Sequence, residues 1–204
     1  LTLKETLLSL LVHDVRYPVQ SFYDVSKKLA YLTQKNDQQR LILLGKEAES
    51  KSRKVLWLIE ELVYWVRNTQ QKEQIQRKEC DLSGIVVQLF DSYSEEMDQK
   101  ELTYRFDDAP AFARVDYGLM LIVLRNIIFN AIVHAKPQTQ IEVLITQTGE
   151  QHQFIIRNEI TSEHSPEERG MGVGMTLIRP LLKKADIHLE NTEMPEIFTS
   201  KITY

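Results

Sequence analysis

Three short groups of residues carry types and spacings that could do chemistry. The first is His13-Asp14-Val15-Arg16-Tyr17-Pro18. A neutral imidazole is a nucleophile, and the acid beside it, Asp14, can orient the ring or take its proton; the same pair also suits a plain solvated helix position. The second is Asn126, Asn130 and His134, four apart and so on one helical face. Asparagine is a mediocre helix former, so two on one face of an otherwise apolar helix need partners. Their amide oxygens suit Mg²⁺ beside a polyphosphate; an ordinary polar stripe is the alternative. The third is Gly170, Gly172 and Gly174, three of the chain's seven glycines within five residues. A backbone without side chains lets a phosphate come close, and the helix after it offers free N–H groups and a positive dipole end. The spacing is neither that of a dinucleotide fingerprint nor that of a P-loop, and a glycine hinge is the alternative.

The elements that must hold these residues follow from periodicity. Leu8, Val15, Phe22 and Leu29 repeat at sevens, and Leu11, Pro18, Val25 and Leu32 repeat three residues later, which is four heptads of an a/d seam over residues 1 to about 34. Counted from Leu8 as a, His13 falls at f, the outward position. Pro18 sits in the helix interior, where proline costs roughly 3 kcal/mol, and predicts a kink one turn past His13. After Gln34-Lys35-Asn36-Asp37 a second helix, about 38 to 75, repeats the seam with Leu41, Leu44, Ala48, Val55, Leu58, Leu62 and Trp65. Two helices leave one side of their seam uncovered, so the expected solution is a four-helix bundle made by a homodimer.

The polar stretch Asn68–Asp81 marks a domain boundary, giving a hairpin domain (1–75) and a second domain (80–204). In the latter, Asp81–Gln99 reads as a helix, Leu102–Phe106 and Phe112–Val115 as short strands, and Tyr117–His134 as a strongly apolar helix. Ile141–Gln147 and Gln153–Arg157 alternate as strands around Gly149. Thr161–Arg169 is a loop, Met175–Lys184 a helix, and the remainder two weak strands. Without regular βαβ alternation, the expected class is an α/β sandwich with a mixed sheet.

Composition narrows the functions. The 204 residues are 43% hydrophobic and 26% charged, which describes a folded chain with a core rather than a disordered tail. With 25 basic and 29 acidic side chains the formal charge is −4; no global positive field favours nucleic acid or an anionic membrane, so partners are recognised locally. A lone cysteine, Cys80, excludes an internal disulfide, and no Cys/His cluster has zinc spacing. No apolar run is expected to reach the roughly 18 residues a membrane span needs, and no signal peptide pattern is present; a soluble cytoplasmic piece without direct membrane contact is expected. The chain begins at Leu1 with a helical pattern already running, as expected of a piece cut from a longer chain.

In this order, the three groups resemble the catalytic core of a sensor histidine kinase of two-component signalling, over essentially the whole chain. His13 to Pro18 looks like the H-box, which implies His13 as phosphoacceptor assisted by Asp14. Asn126 to Ala131, preceded by Asp116, looks like the N-box, whose second asparagine, Asn130, binds Mg²⁺. Gly170 to Met175 matches the G2 box of the ATP lid, and Asn158 stands where the G1 box places an adenine-binding acid. The resemblance implies a Bergerat-type ATP-binding fold, ATP and Mg²⁺ held by Asn126, Asn130, His134, Asn158, Gly170, Gly172 and Gly174, a homodimer, and transfer of phosphate to the receiver domain of a response regulator.

Three departures stand out. Asn158 replaces the acid and is followed by Glu159 and Ile160. Val133 stands where a basic residue is expected, and Lys184-Ala185-Asp186 where a His-Gly-Gly turn is usual. They leave open a non-catalytic dimeric signalling scaffold with a decayed nucleotide pocket.

Overall fold

The computed structural model describes residues 25, 27–70, 75–106, 111–148, 151–160 and 173–204. The chain divides into two compact units between Val63 and Tyr64. In the first, residues 27–34 are helical and a turn at 35–36 leads into α1 (Gln38–Gln70). Asn36 takes φ 55°, the left-handed conformation that asparagine tolerates at a helix end. Asp37 caps α1 through Arg40 N, 3.1 Å from Oδ1. The second seam is visible in the burial: Leu44 and Trp65 are buried and Leu41, Ala48, Val55, Leu58 and Leu62 half-buried.

The second unit is a two-layer α/β sandwich. Its elements are β1 (Lys78–Asp81), α2 (Leu82–Ser92), α3 (Ser94–Gln99), β2 (Thr103–Phe106), β3 (Phe112–Val115), α4 (Tyr117–His134), β4 (Gln140–Thr148), β5 (Gln151–Glu159), α5 (Val173–Lys184), β6 (His188–Met194) and β7 (Ile197–Thr203). The main sheet runs β2-β4-β5-β7-β6. β2 and β4 are parallel and the other pairs antiparallel, which is the mixed sheet expected. Alternation along β5 sends Phe154, Ile156 and Asn158 to the buried face. There Val143, Ile156 and Ser200 lie in register across three strands. Ile85, Val86, Leu89 and Phe90 of α2, Leu181 and Leu182 of α5, and ten residues of α4 supply the other half of the core.

Two elements differ from the sequence reading. The polar segment before residue 81 contains a strand, β1, paired antiparallel with β3 and burying only Cys80. The helix expected over 81–99 is broken at Tyr93, φ −111°, where the buried ring packs against Phe129, centroids 5.5 Å apart. The expectation that no apolar run reaches the length of a membrane span is also corrected: α4 does so by length and composition, with a mean hydropathy of 1.5 over 18 residues. Its apolar residues are instead the centre of this core.

Candidate functional site

Helix α4 starts where Asp116 turns its carboxylate onto the helix's free N–H groups: Leu119 N donates to Oδ1 at 3.1 Å, which satisfies one orphan donor of the first turn. Ten of its eighteen residues are buried. The less covered face carries Gly118, Leu121, Asn126, Phe129, Asn130, Val133 and His134. The asparagine-histidine row thus lies on the side of α4 that the core covers less. Asn126 Nδ2 donates to the Ile122 carbonyl at 2.9 Å, a local bond that orients the amide. Asn130 and His134 are half-buried, and Val133, beside them, is 40% exposed.

The far end of α4 is held by Lys100. Its ammonium donates to the carbonyls of Ile132 at 3.1 Å, Val133, and Ala135 at 3.2 Å, groups that no helix can satisfy internally. Burial lowers the Lys100 pKa. The contact spans more than thirty residues of sequence, and no local pattern around Lys100 announces it.

β5 delivers Asn158 beside this end. Lys136 N donates to Glu159 O at 2.8 Å, and Ile160 forms an isolated bridge with Ala135. Asn158 itself is 2% exposed. Its Nδ2 donates to Glu159 O at 3.3 Å, while Oδ1 is buried without a hydrogen-bond partner. A buried amide oxygen left unpaired costs about 1–3 kcal/mol, and native proteins rarely tolerate one without a reason. An exocyclic amine such as that of adenine is the complement of this acceptor. The groups on offer are therefore one unpaired acceptor at Asn158 and the amides and imidazole of the α4 row.

Among the described residues no cluster of His, Cys, Asp or Glu is arranged to hold a metal, so Mg²⁺ on this face would rest on amide oxygen and on the phosphates themselves. A separate cleft of about 630 Å³, lined by Ser83, Gly84, Val87, Gln88, Asp91, Ser92 and Phe106, lies along α2 and includes none of these residues. Gly174 lies in the first turn of α5. His13, Asp14, Gly170 and Gly172 lie outside the described residues. The Lys184-Ala185-Asp186 turn behaves as a glycine turn does: Asp186 takes φ 56° and Ile187 N returns to Leu182 O at 2.9 Å, closing the helix as a left-handed residue should.

No family model and no curated protein matches the sequence. Solved structures do. The Acinetobacter baumannii histidine kinase AdeS superimposes with a TM-score of 0.68 over 94% of this chain and 96% of that one, at 15% identity. The cytoplasmic segment of the histidine kinase QseC gives 0.53 over 72% and 91% at 14% identity. Full-length ShkA in complex with AMPPNP gives 0.57 over 82% of this chain and 38% of that one, at 13% identity. These likenesses are of fold: the chain has the architecture of a histidine kinase core.

Proposed function

We propose that a chain with this fold works as the core of a sensor histidine kinase, taking the γ-phosphoryl group of ATP onto His13 and passing it to an aspartate of a response regulator. The observation that carries the reading is the buried, unpaired Oδ1 of Asn158, set at the end of β5 beside the end of the helix whose open face bears Asn126, Asn130 and His134. Asn158 would receive the adenine amine. Asn130, with Asn126 and His134 along the same face, would hold Mg²⁺ and phosphate, and Gly170, Gly172 and Gly174 would let the backbone close on the phosphates. Mg²⁺ supplies charge neutralisation between the phosphates, where phosphoryl transfer needs it most.

At His13, one neutral ring nitrogen attacks the γ-phosphorus as the bond to the ADP oxygen breaks, and the proton on the other nitrogen passes to Asp14. The P–N bond then breaks as a regulator carboxylate attacks in turn. Residues 1–75 serve as the phosphotransfer and dimerisation hairpin and 80–204 as the ATP-binding domain. The likeness to a cytoplasmic kinase segment supports a cytoplasmic setting.

A homodimer is supported by a second apolar stripe on α1. Ile42, Leu56, Ile59 and Val63 are all at least 43% exposed, and their helical angles lie within about 100° of one another at 3.6 residues per turn. Each such side chain contributes roughly 1.5–3 kcal/mol when fully buried, so a few per chain offset an association cost of about 4–15 kcal/mol.

The exposed Val133, in place of a phosphate-binding base, favours a second reading, a dimeric scaffold that has lost its nucleotide. Calorimetric titration of the full chain with ATP separates the two. The kinase reading predicts Mg²⁺-dependent binding that Asn130→Ala weakens at least about tenfold, the effect of about 1.4 kcal/mol. No binding with or without Mg²⁺ would leave only the scaffold.

A further inference from the structure

We propose that Tyr64 is a positioning residue: it fastens the segment 64–70 to the first turn of the asparagine-bearing helix α4 within the same compact unit, and so holds the start of α4 in place. An N-cap aspartate needs one backbone partner, and Asp116 has it in Leu119 N. Two further donors reach the same carboxylate from far upstream. The Tyr64 hydroxyl donates to Oδ1 at 2.8 Å, across 52 residues, and Gln76 N donates to Oδ2 at 3.0 Å, across 40. Tyr64 precedes the polar stretch that the sequence presents as a connection between domains and Gln76 lies within it, and both are anchored on one side chain.

The seat is close-packed as well as hydrogen-bonded. A Cβ built on Gly118 would lie 2.7 Å from Cε2 and 3.2 Å from Cδ2 of Tyr64, so the ring occupies the space that the missing side chain leaves. Trp65, the next residue, is buried, and Asn68 Nδ2 donates back to the Tyr64 carbonyl at 2.8 Å. Burial, with the hydrogen bond and negative charge of Asp116 adding to it, holds the phenol's pKa above its usual value, so Tyr64 stays a donor. Consistent with this, the compact unit that contains α4 begins at Tyr64.

For catalysis the inference rests on the kinase reading, and its test keeps the two apart. In the full chain, Tyr64→Phe removes one charge-assisted hydrogen bond. Amide exchange at Leu119 and Gln76, followed by NMR, should accelerate by about tenfold, the lower range for a bond to a charged group, with the melting midpoint lowered by only about 3–6 °C. Labelling of His13 at saturating Mg²⁺ and ATP should slow by at least about fivefold while the ATP dissociation constant stays within about twofold, the signature of positioning rather than binding.

Gly118→Ala is the second variant. It ordinarily favours a helix; here it pushes the Tyr64 ring out of its seat and should reproduce both effects with the hydroxyl and carboxylate intact. Unchanged exchange in both variants overturns the proposal, as does faster exchange with unchanged labelling, or slower labelling explained by lost ATP affinity. If the wild-type chain takes no label, the kinase reading fails by itself. Exchange then decides: acceleration confined to 64–76 and 116–120 supports the fastening, and none refutes it.

Discussion

Replacing Asn158 by leucine should make the free protein more stable and the nucleotide complex weaker. The side chain is 2% exposed and similar in size to leucine. Its Oδ1 is buried without a partner, which costs about 1–3 kcal/mol. Its Nδ2 makes only a long bond, 3.3 Å, to Glu159 O, and that carbonyl keeps a second donor, Lys136 N at 2.8 Å, so losing the amide strands nothing. The net gain is about 1–2 kcal/mol, or a rise in melting temperature on the order of 2–8 °C for a chain of this size. ATP at a hundred times its dissociation constant should stabilise the wild type by about 2.7 kcal/mol through mass action, and the leucine variant by far less. Thermal melts of both proteins, with and without Mg²⁺ and ATP, read the two effects together. A leucine variant that melts lower than wild type would mean that Oδ1 has a structural partner, and a variant whose ATP shift equals that of the wild type would remove Asn158 from the site.

Lys100→Met should cost about 1–3 kcal/mol in chemical denaturation, because a buried-stem ammonium bonded to three terminal carbonyls of α4 is replaced by a group that donates nothing; a loss under about 0.5 kcal/mol would deny it the capping role. Ile59→Asp places a charge in the exposed stripe of α1 and should convert the homodimer to monomer in light scattering at micromolar concentration, the wild type remaining a dimer; a monomeric wild type would contradict the bundle. The raised pKa of Tyr64 gives stability a sign at high pH. Above about pH 10 the unfolded phenol ionises while the folded one keeps its proton, so its contribution is whole below that pH and is lost as pH rises through the folded value. Tyr204, also raised by burial, acts in the same direction, so Tyr64→Phe should flatten the alkaline decline without abolishing it; an identical slope would place Tyr64 in solvent.

What could be read from sequence was whatever periodicity or a local motif encodes. Tyr117–His134 is a helix to the residue because Asp116 caps it and its apolar run ends at Ala135 before Pro137. The mixed sheet followed from the lack of regular βαβ alternation, and β4 and β5 from two alternating segments, although both strands extend further than the alternation suggested. β1 was hidden because a polar edge strand buries one side chain in four, and its identity lies in its pairing with β3. Tyr93 breaks a helix for the sake of ring packing, which a one-dimensional pattern does not carry. The departure at Asn158 was visible as a residue type, but its consequence, an unpaired acceptor, depends on its burial in the folded sheet. Tyr64 belongs to no local motif; only its reach to Asp116 gives it a role.

The account stands most directly on one reaction. The full chain incubated with γ-labelled ATP and Mg²⁺ should acquire label that is lost in acid and kept in base, as a phosphohistidine requires, and His13→Gln should acquire none while keeping its fold and its affinity for ATP. Label that persists on His13→Gln, or a wild-type chain that binds ATP with Mg²⁺ and takes no label, would contradict the assignment of this chain as a histidine kinase.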